Sequence, residues 1–188
     1  TVVMGRHYRN SDTSNLPFSY LIEHEDQSIL VPGVNLRSVG TVRDARKWPK
    51  RDKRKDPKKL DLINFKLLSP YTIQKMLNGS QLLKKLEKAS GENTEYFTYN
   101  NVKIRKGSLD RGIRFYEIGI NKFLGNCLIA RLEGKQIKDA DELSKALVPE
   151  TDIGSGKWLD LAGLLAPQQC VEKMLSDIED GTINTLDQ

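Results

Sequence analysis

Histidine and cysteine are nearly missing, with two of each in the chain. So small a set cannot supply the clustered ligands of a structural zinc site, and His24, among Glu23, Glu25 and Asp26, has no cysteine nearby. No metal centre is expected. Cys127 and Cys170, each followed by an apolar residue in a stretch of helical pattern, read as buried, reduced thiols of a cytoplasmic protein, and geometry decides whether they approach each other. Long apolar runs are missing too. None approaches the roughly 20 residues a bilayer-spanning helix needs, which argues against a spanning helix and a membrane partner. There is no internal repeat and no sustained heptad, which excludes a solenoid and a coiled coil. Seven prolines, fourteen glycines and 38% hydrophobic residues make a slightly polar chain that still exceeds a disordered composition, so a folded core is expected.

Charge is what the sequence has in quantity, and it is unevenly placed. Residues 43–59, RDARKWPKRDKRKDPKK, hold ten basic side chains against three aspartates, a local +7 in a chain of net +5, so the remainder sums to −2. The cations are Arg43, Arg46, Lys47, Lys50, Arg51, Lys53, Arg54, Lys55, Lys58 and Lys59. Phosphate binding needs several cationic heads together, and arginine adds bidentate geometry. Trp48 could stack on a base or anchor the run to the domain. Asp44, Asp52, Asp56, Pro49 and Pro57 are what a solvated connector would contain, and that is the favoured reading of 43–59. A nucleic-acid or other polyanion contact stands beside it.

Other motifs carry less. Arg6, His7, Tyr8, Arg9 and Asn10 fall together near the start, where His7 is a candidate base, or a phosphate holder with Arg6 and Arg9. No nucleophile or acid stands at a fixed spacing from it. DIGSGKW at 152–158 lacks the first glycine of a phosphate loop and carries Trp158 where a hydroxyl would meet magnesium, so that motif is rejected. Asp160, Glu172, Asp177, Glu179 and Asp180 show no sign of converging as a hydrolytic pair, and solvent exposure explains them.

Patterning predicts a mostly α (α+β) chain. Residues 1–42 read as an extended arm with a small hairpin around the acidic turn Glu23 to Gln27, 43–59 as the basic connector, and 60–188 as a mainly helical domain. Leu60, Ile63, Leu67 and Leu68 recur at helical intervals. Ser69 and Pro70 supply a cap and a first-turn proline for a helix ended by Asn78 and Gly79, and Ser80 caps the next, stopped at Ser90 and Gly91. This helix pair superficially suggests a DNA-reading motif, but only lysines and Gln81 are available to read bases, so packing on a core is the expected role. A weak extended patch covers 94–107. Ser108 opens the longest helix, with a stripe of Leu109, Ile113, Tyr116, Ile120, Leu124 and Cys127. Gly112, Gly119 and Gly125 in it require either close packing or a break. Asp139 or Asp141 begins a short helix, KWLDLAGLLA at 157–166 reads as another, and Pro167 starts the last, ended at Gly181.

Thr1 rather than methionine opens the chain, which leads us to expect a piece of a larger protein. GRHYRNSDTSNLPFSYLIE at 5–23, LVPGVNLRSVGTVRDARKWPKRDKRK at 30–55, SPYTIQKML at 69–77 and KWLDLAGLLAP at 157–167 resemble the downstream region of a family of large Bacteroidetes proteins. The family's upstream part is similar to left-handed β-helix acyltransferases of sugars and nucleotide sugars. The resemblance implies that residues 1–42 leave the last coils of a β-helix and that the remainder is a helical appendage. It also implies coenzyme A or an acyl donor for the full-length protein, no cofactor for this piece, and a homo-oligomer formed through the β-helix. His7 would be the base and the basic run would approach a phosphorylated small molecule or nucleotide sugar. The resulting expectation is a non-catalytic accessory domain of an acyltransferase-like protein, with a nucleic-acid-binding module as the competing class.

Overall fold

Extended pieces alternate with turns at the start of the chain and become strands β1 (Val2–Met4), β2 (Tyr20–His24) and β3 (Gln27–Val31). The expected hairpin is β2 and β3, antiparallel, with His24 opposite Gln27. Its two-residue loop puts Glu25 and Asp26 at φ 51° and 59°, a turn whose twist matches the strands. The Asp26 amide donates to Glu23 Oε1 at 3.0 Å, which holds the turn closed. This computed structural model describes residues 1–55, 57, 65–91 and 94–185. Lys58, Lys59 and the helical spacing of Leu60 and Ile63 lie outside them.

The chain divides into two units, Thr1–Asp52 with Lys66–Asn126, and Lys53–Phe65 with Cys127–Gln188. In the first, a 3-10 turn at Val34–Leu36 leads into α1 (Val39–Arg51), followed by α2 (Pro70–Ala89). A second hairpin, β4 (Tyr96–Tyr99) and β5 (Val102–Arg105), turns through Asn100 and Asn101 at φ 41° and 63°, a conformation asparagine tolerates. The long α3 (Lys106–Leu132) then begins. The five strands lie in the order β1-β2-β3-β5-β4, parallel between β1 and β2 and between β3 and β5, antiparallel elsewhere.

Register decides which side chains enter the core. Leu21 opposes Leu30 and Phe97 opposes Ile104, and all four are buried. Their face packs on Ile73, Met76 and Leu83 of α2 and on Leu109, Tyr116 and Ile120 of α3, so the two helices cover one side of the sheet. Tyr116, fully buried, donates its hydroxyl to the Pro17 carbonyl at 2.8 Å, and burial pushes the phenol well above its ordinary range. Tyr116→Phe removes this donor from the part-buried Pro17 carbonyl, which keeps only the long contact from Ser19 Oγ at 3.5 Å. We expect a loss of about 1–2 kcal/mol in urea unfolding; an unchanged midpoint would mean the bond contributes nothing.

Three helical expectations need correction. Ser69 does cap α2, accepting from the Thr72 amide, and Ser90 ends it, but Asn78 and Gly79 do not interrupt it. One 20-residue helix replaces the pair, and the DNA-reading motif goes with the missing turn. A Cβ on Gly79 would stand 2.5 Å from the Asn15 carbonyl oxygen and 2.8 Å from Tyr116 Cε2, so close packing, not chain reversal, calls for glycine there. In α3 the same logic holds at Gly112, whose Cβ would lie 2.8 Å from Pro32 Cβ, and the helix runs unbroken. Its predicted stripe is in the core or packed against it from Leu109 through Ile120, whereas Leu124 and Cys127 are exposed.

In the second unit, Asp139 caps α4 (Ala140–Leu147) by accepting from the Glu142 amide. Arg131 clamps the end of α4, donating to the carbonyls of Ala146 and Val148 at 3.0 and 3.1 Å and to Glu150 at 2.7 Å. This guanidinium holds the Glu150 carboxyl below the usual range. The predicted helix at 157–166 is instead a hairpin, β6 (Trp158–Leu161) and β7 (Leu164–Pro167). Ala162 and Gly163 take φ 53° and 99°, and Asp160 Oδ1 accepts from the Gly163 amide at 2.7 Å, a turn that outweighs the helix preference of leucine and alanine. Pro167 precedes α5 (Gln168–Glu179), and Gly181 at φ 73° follows it, as the pattern required. At 47% helix and 17% strand the protein is mixed α and β, not mostly α. Its strands do not end where the helices begin, because two further hairpins fall among them.

Candidate functional site

Helix α1 sets the geometry of the cationic run. Asn35 Oδ1 accepts from Thr41 Oγ1 at 2.6 Å, which joins the preceding turn to the first turn of the helix. Pro49 lies inside the helix two residues before its end at Arg51 and removes one intrahelical hydrogen bond. Lys50 and Arg51 occupy the last turn, where the helix dipole favours positive charge. The structure thus makes residues 43–51 of the basic stretch regular helix rather than irregular chain.

Helical spacing sorts the cations. Arg43, Arg46, Lys47 and Lys50 recur at i, i+3, i+4 and i+7 and line one groove of about 420 Å³ with Arg37, Ser38 and Val42. Arg43 Nε donates to Asp44 at 3.1 Å in a solvent-exposed pair that holds it weakly. Among the described residues no carboxylate pairs with Arg46, Lys47 or Lys50. Among the described residues these heads share one groove without a carboxylate partner, which is the condition for attracting an anion.

The remaining candidates fall elsewhere. Trp48, 55% exposed, is no hydrophobic anchor; its place in the helical repeat turns it away from the stripe, and the Arg51 guanidinium sits 5.8 Å from its ring centre. Lys53, Arg54 and Lys55 follow the helix and belong to the second unit. Arg6 lies over the Tyr8 ring at 5.1 Å. Arg9 lines a separate polar cleft with Tyr8, Asp26, Asn101 and Lys103. Both ring nitrogens of His7 are occupied, Nδ1 by Ser28 Oγ at 2.9 Å and Nε2 by the Met4 carbonyl at 3.1 Å. In the neutral tautomer that donates Nε2–H to the Met4 carbonyl, Nδ1 accepts from the Ser28 hydroxyl. The imidazole here pins the segment after β1 to β3.

Cys127 and Cys170 are exposed free thiols, not buried ones. Among the described residues no group of histidine, cysteine and carboxylate side chains could hold a metal ion, and no helix is long and apolar enough to cross a membrane. Sequence reasoning missed Arg37, which lies outside the dense run yet lines the α1 groove. It also lines a neighbouring apolar groove of about 440 Å³ with Leu36, Val42, Leu68, Phe115 and Ile118. The only signal was its nearness to the run; the fold makes the rest of the connection.

The first unit is thus an α+β unit that presents a cation-faced helix. Over residues 1–87 the chain matches the model of a family described as Domain of unknown function (DUF4954), and over 139–188 that of Domain of unknown function (DUF6819). No curated protein and no solved structure matches the chain.

Proposed function

We propose that this chain is a non-catalytic anion-binding module, and that it holds phosphate groups on the stripe of α1 as an accessory to a larger sugar or nucleotide-sugar acyltransferase-like protein. The observation that carries the binding reading is the convergence of Arg43, Arg46, Lys47 and Lys50 with Arg37 on one groove, all but Arg43 lacking a carboxylate partner among the described residues. An open row of cations suits a succession of phosphates better than one enclosed group. The accessory role rests on the resemblance at 5–23 and 30–55, and the engaged ring nitrogens of His7 favour binding over base catalysis.

Titration with duplex and single-stranded nucleic acid and with a nucleotide sugar, across salt, tests the binding. Four or five phosphate contacts predict a slope of log affinity against log salt of about −4 on duplex. Salt-independent binding, or none, overturns the reading, and affinity confined to the nucleotide sugar reassigns the stripe to a small phosphorylated ligand. Removal of residues 43–188 from the full-length protein tests the accessory role, which would not survive unchanged activity and assembly.

A further inference from the structure

The described part of the second unit is short of a core. Among its described residues none is fully buried, while Leu128, Ile129, Val148, Ile153, Leu175 and Ile178 are each between 46% and 71% exposed. Helix α5 concentrates the feature. Val171, Met174, Leu175 and Ile178 recur at i, i+3, i+4 and i+7 and so form one apolar stripe, with the last three between 44% and 51% exposed. Around it stand Glu172, Asp177, Glu179 and Asp180 against the one lysine, Lys173, which pairs with Asp177 at 2.8 Å. An acidic amphipathic helix thus shows its apolar face to water.

The first unit carries the complementary form. The apolar groove at Leu36, Val42, Leu67, Leu68, Phe115 and Ile118 is bordered by Arg37 and Lys122, and the cationic stripe of α1 adjoins it through Arg37 and Val42. Its volume of about 440 Å³ is on the scale of a few leucine-sized side chains, which is what one helical stripe inserts. The apolar stripe matches the apolar groove in character, and the acidic flanks are opposite in sign to the cationic borders.

We propose that the groove of one copy receives α5 of a second copy of this chain. The contact is heterologous, since groove and helix are different surfaces, so every copy carries one of each and association continues until a ring closes or both sites are used reciprocally in a dimer. This goes beyond the anion-binding reading and needs no bound anion.

The test is a mixing experiment read by sedimentation velocity, without nucleic acid or nucleotide. The wild-type chain self-associates at concentrations up to about 0.5 mM, and Ile118→Glu in the groove or Leu175→Glu on the helix each weakens this by at least about tenfold. Both residues are exposed, so neither change disturbs a core, and Ile118→Gln and Leu175→Gln serve if a glutamate variant loses its circular-dichroism spectrum. Mixing the two variants then restores a complex, because one supplies an intact groove and the other an intact helix. A wild-type chain that stays monomeric, or a mixture that does not recover, overturns the proposal. Recovery in the mixture with no nucleic-acid binding anywhere would leave this contact standing and remove the anion-binding function instead.

Discussion

Replacing Arg43, Arg46, Lys47 and Lys50 together by glutamine is expected to weaken duplex binding by about three orders of magnitude, on roughly 1 kcal/mol per partly solvated contact to phosphate. All four side chains line one groove, so they act on one ligand. Glutamine is a good helix former, and the exposed face contributes little to the core, so the thermal midpoint should move only slightly. The salt slope should collapse with the affinity, which separates lost charge from a lost fold. Neutralising Lys53, Arg54 and Lys55 removes nearly as much charge from outside the stripe and should cost far less. Equal losses in the two variants would show that net charge, not the arrangement on α1, governs binding.

The second large effect concerns Gly79. Alanine at this position gains about 1 kcal/mol of helix propensity. It also drives a methyl to 2.5 Å from the Asn15 carbonyl oxygen and 2.8 Å from the ring of buried Tyr116. One of those atoms is backbone, so relief requires α2 to move off the segment that carries Leu16, a fully buried residue. We expect a net loss of about 1–3 kcal/mol in chemical unfolding. Gly125 is the internal comparison: nothing stands within 4 Å of a Cβ there, so Gly125→Ala should stabilise by about 1 kcal/mol. Matching shifts at the two glycines would refute the close-packing account.

Much of the local structure was legible. Ser69 with Pro70, Asp139 and Gly181 mark helix ends through groups that act within one turn, and each stands where its chemistry predicts. The two strand pairs in the first unit follow from alternation next to short polar turns. The errors fall where two local signals compete. Asn78–Gly79 has the composition of a helix stop, and KWLDLAGLLA suits a helix as well as a hairpin whose Asp160 closes the turn. The candidate site was half visible: the basic run announced itself, but spacing separates Arg46, Lys47 and Lys50 from Trp48 only once the segment is known to be helical, and the groove rather than the spacing leaves Arg51 out.

Charge density, capping chemistry and strand alternation act over a few residues, and the order of amino acids alone was enough to specify them. Burial, strand order and the grooves belong to another scale. Gly79 meets Asn15, Tyr116 meets Pro17 and Arg37 shares a groove with Lys122 only because distant segments are folded together. Cys127 reads as a core residue and stands in water because α3 continues past the sheet-backed part of its stripe, and nothing within a helical turn of the thiol encodes where that support ends.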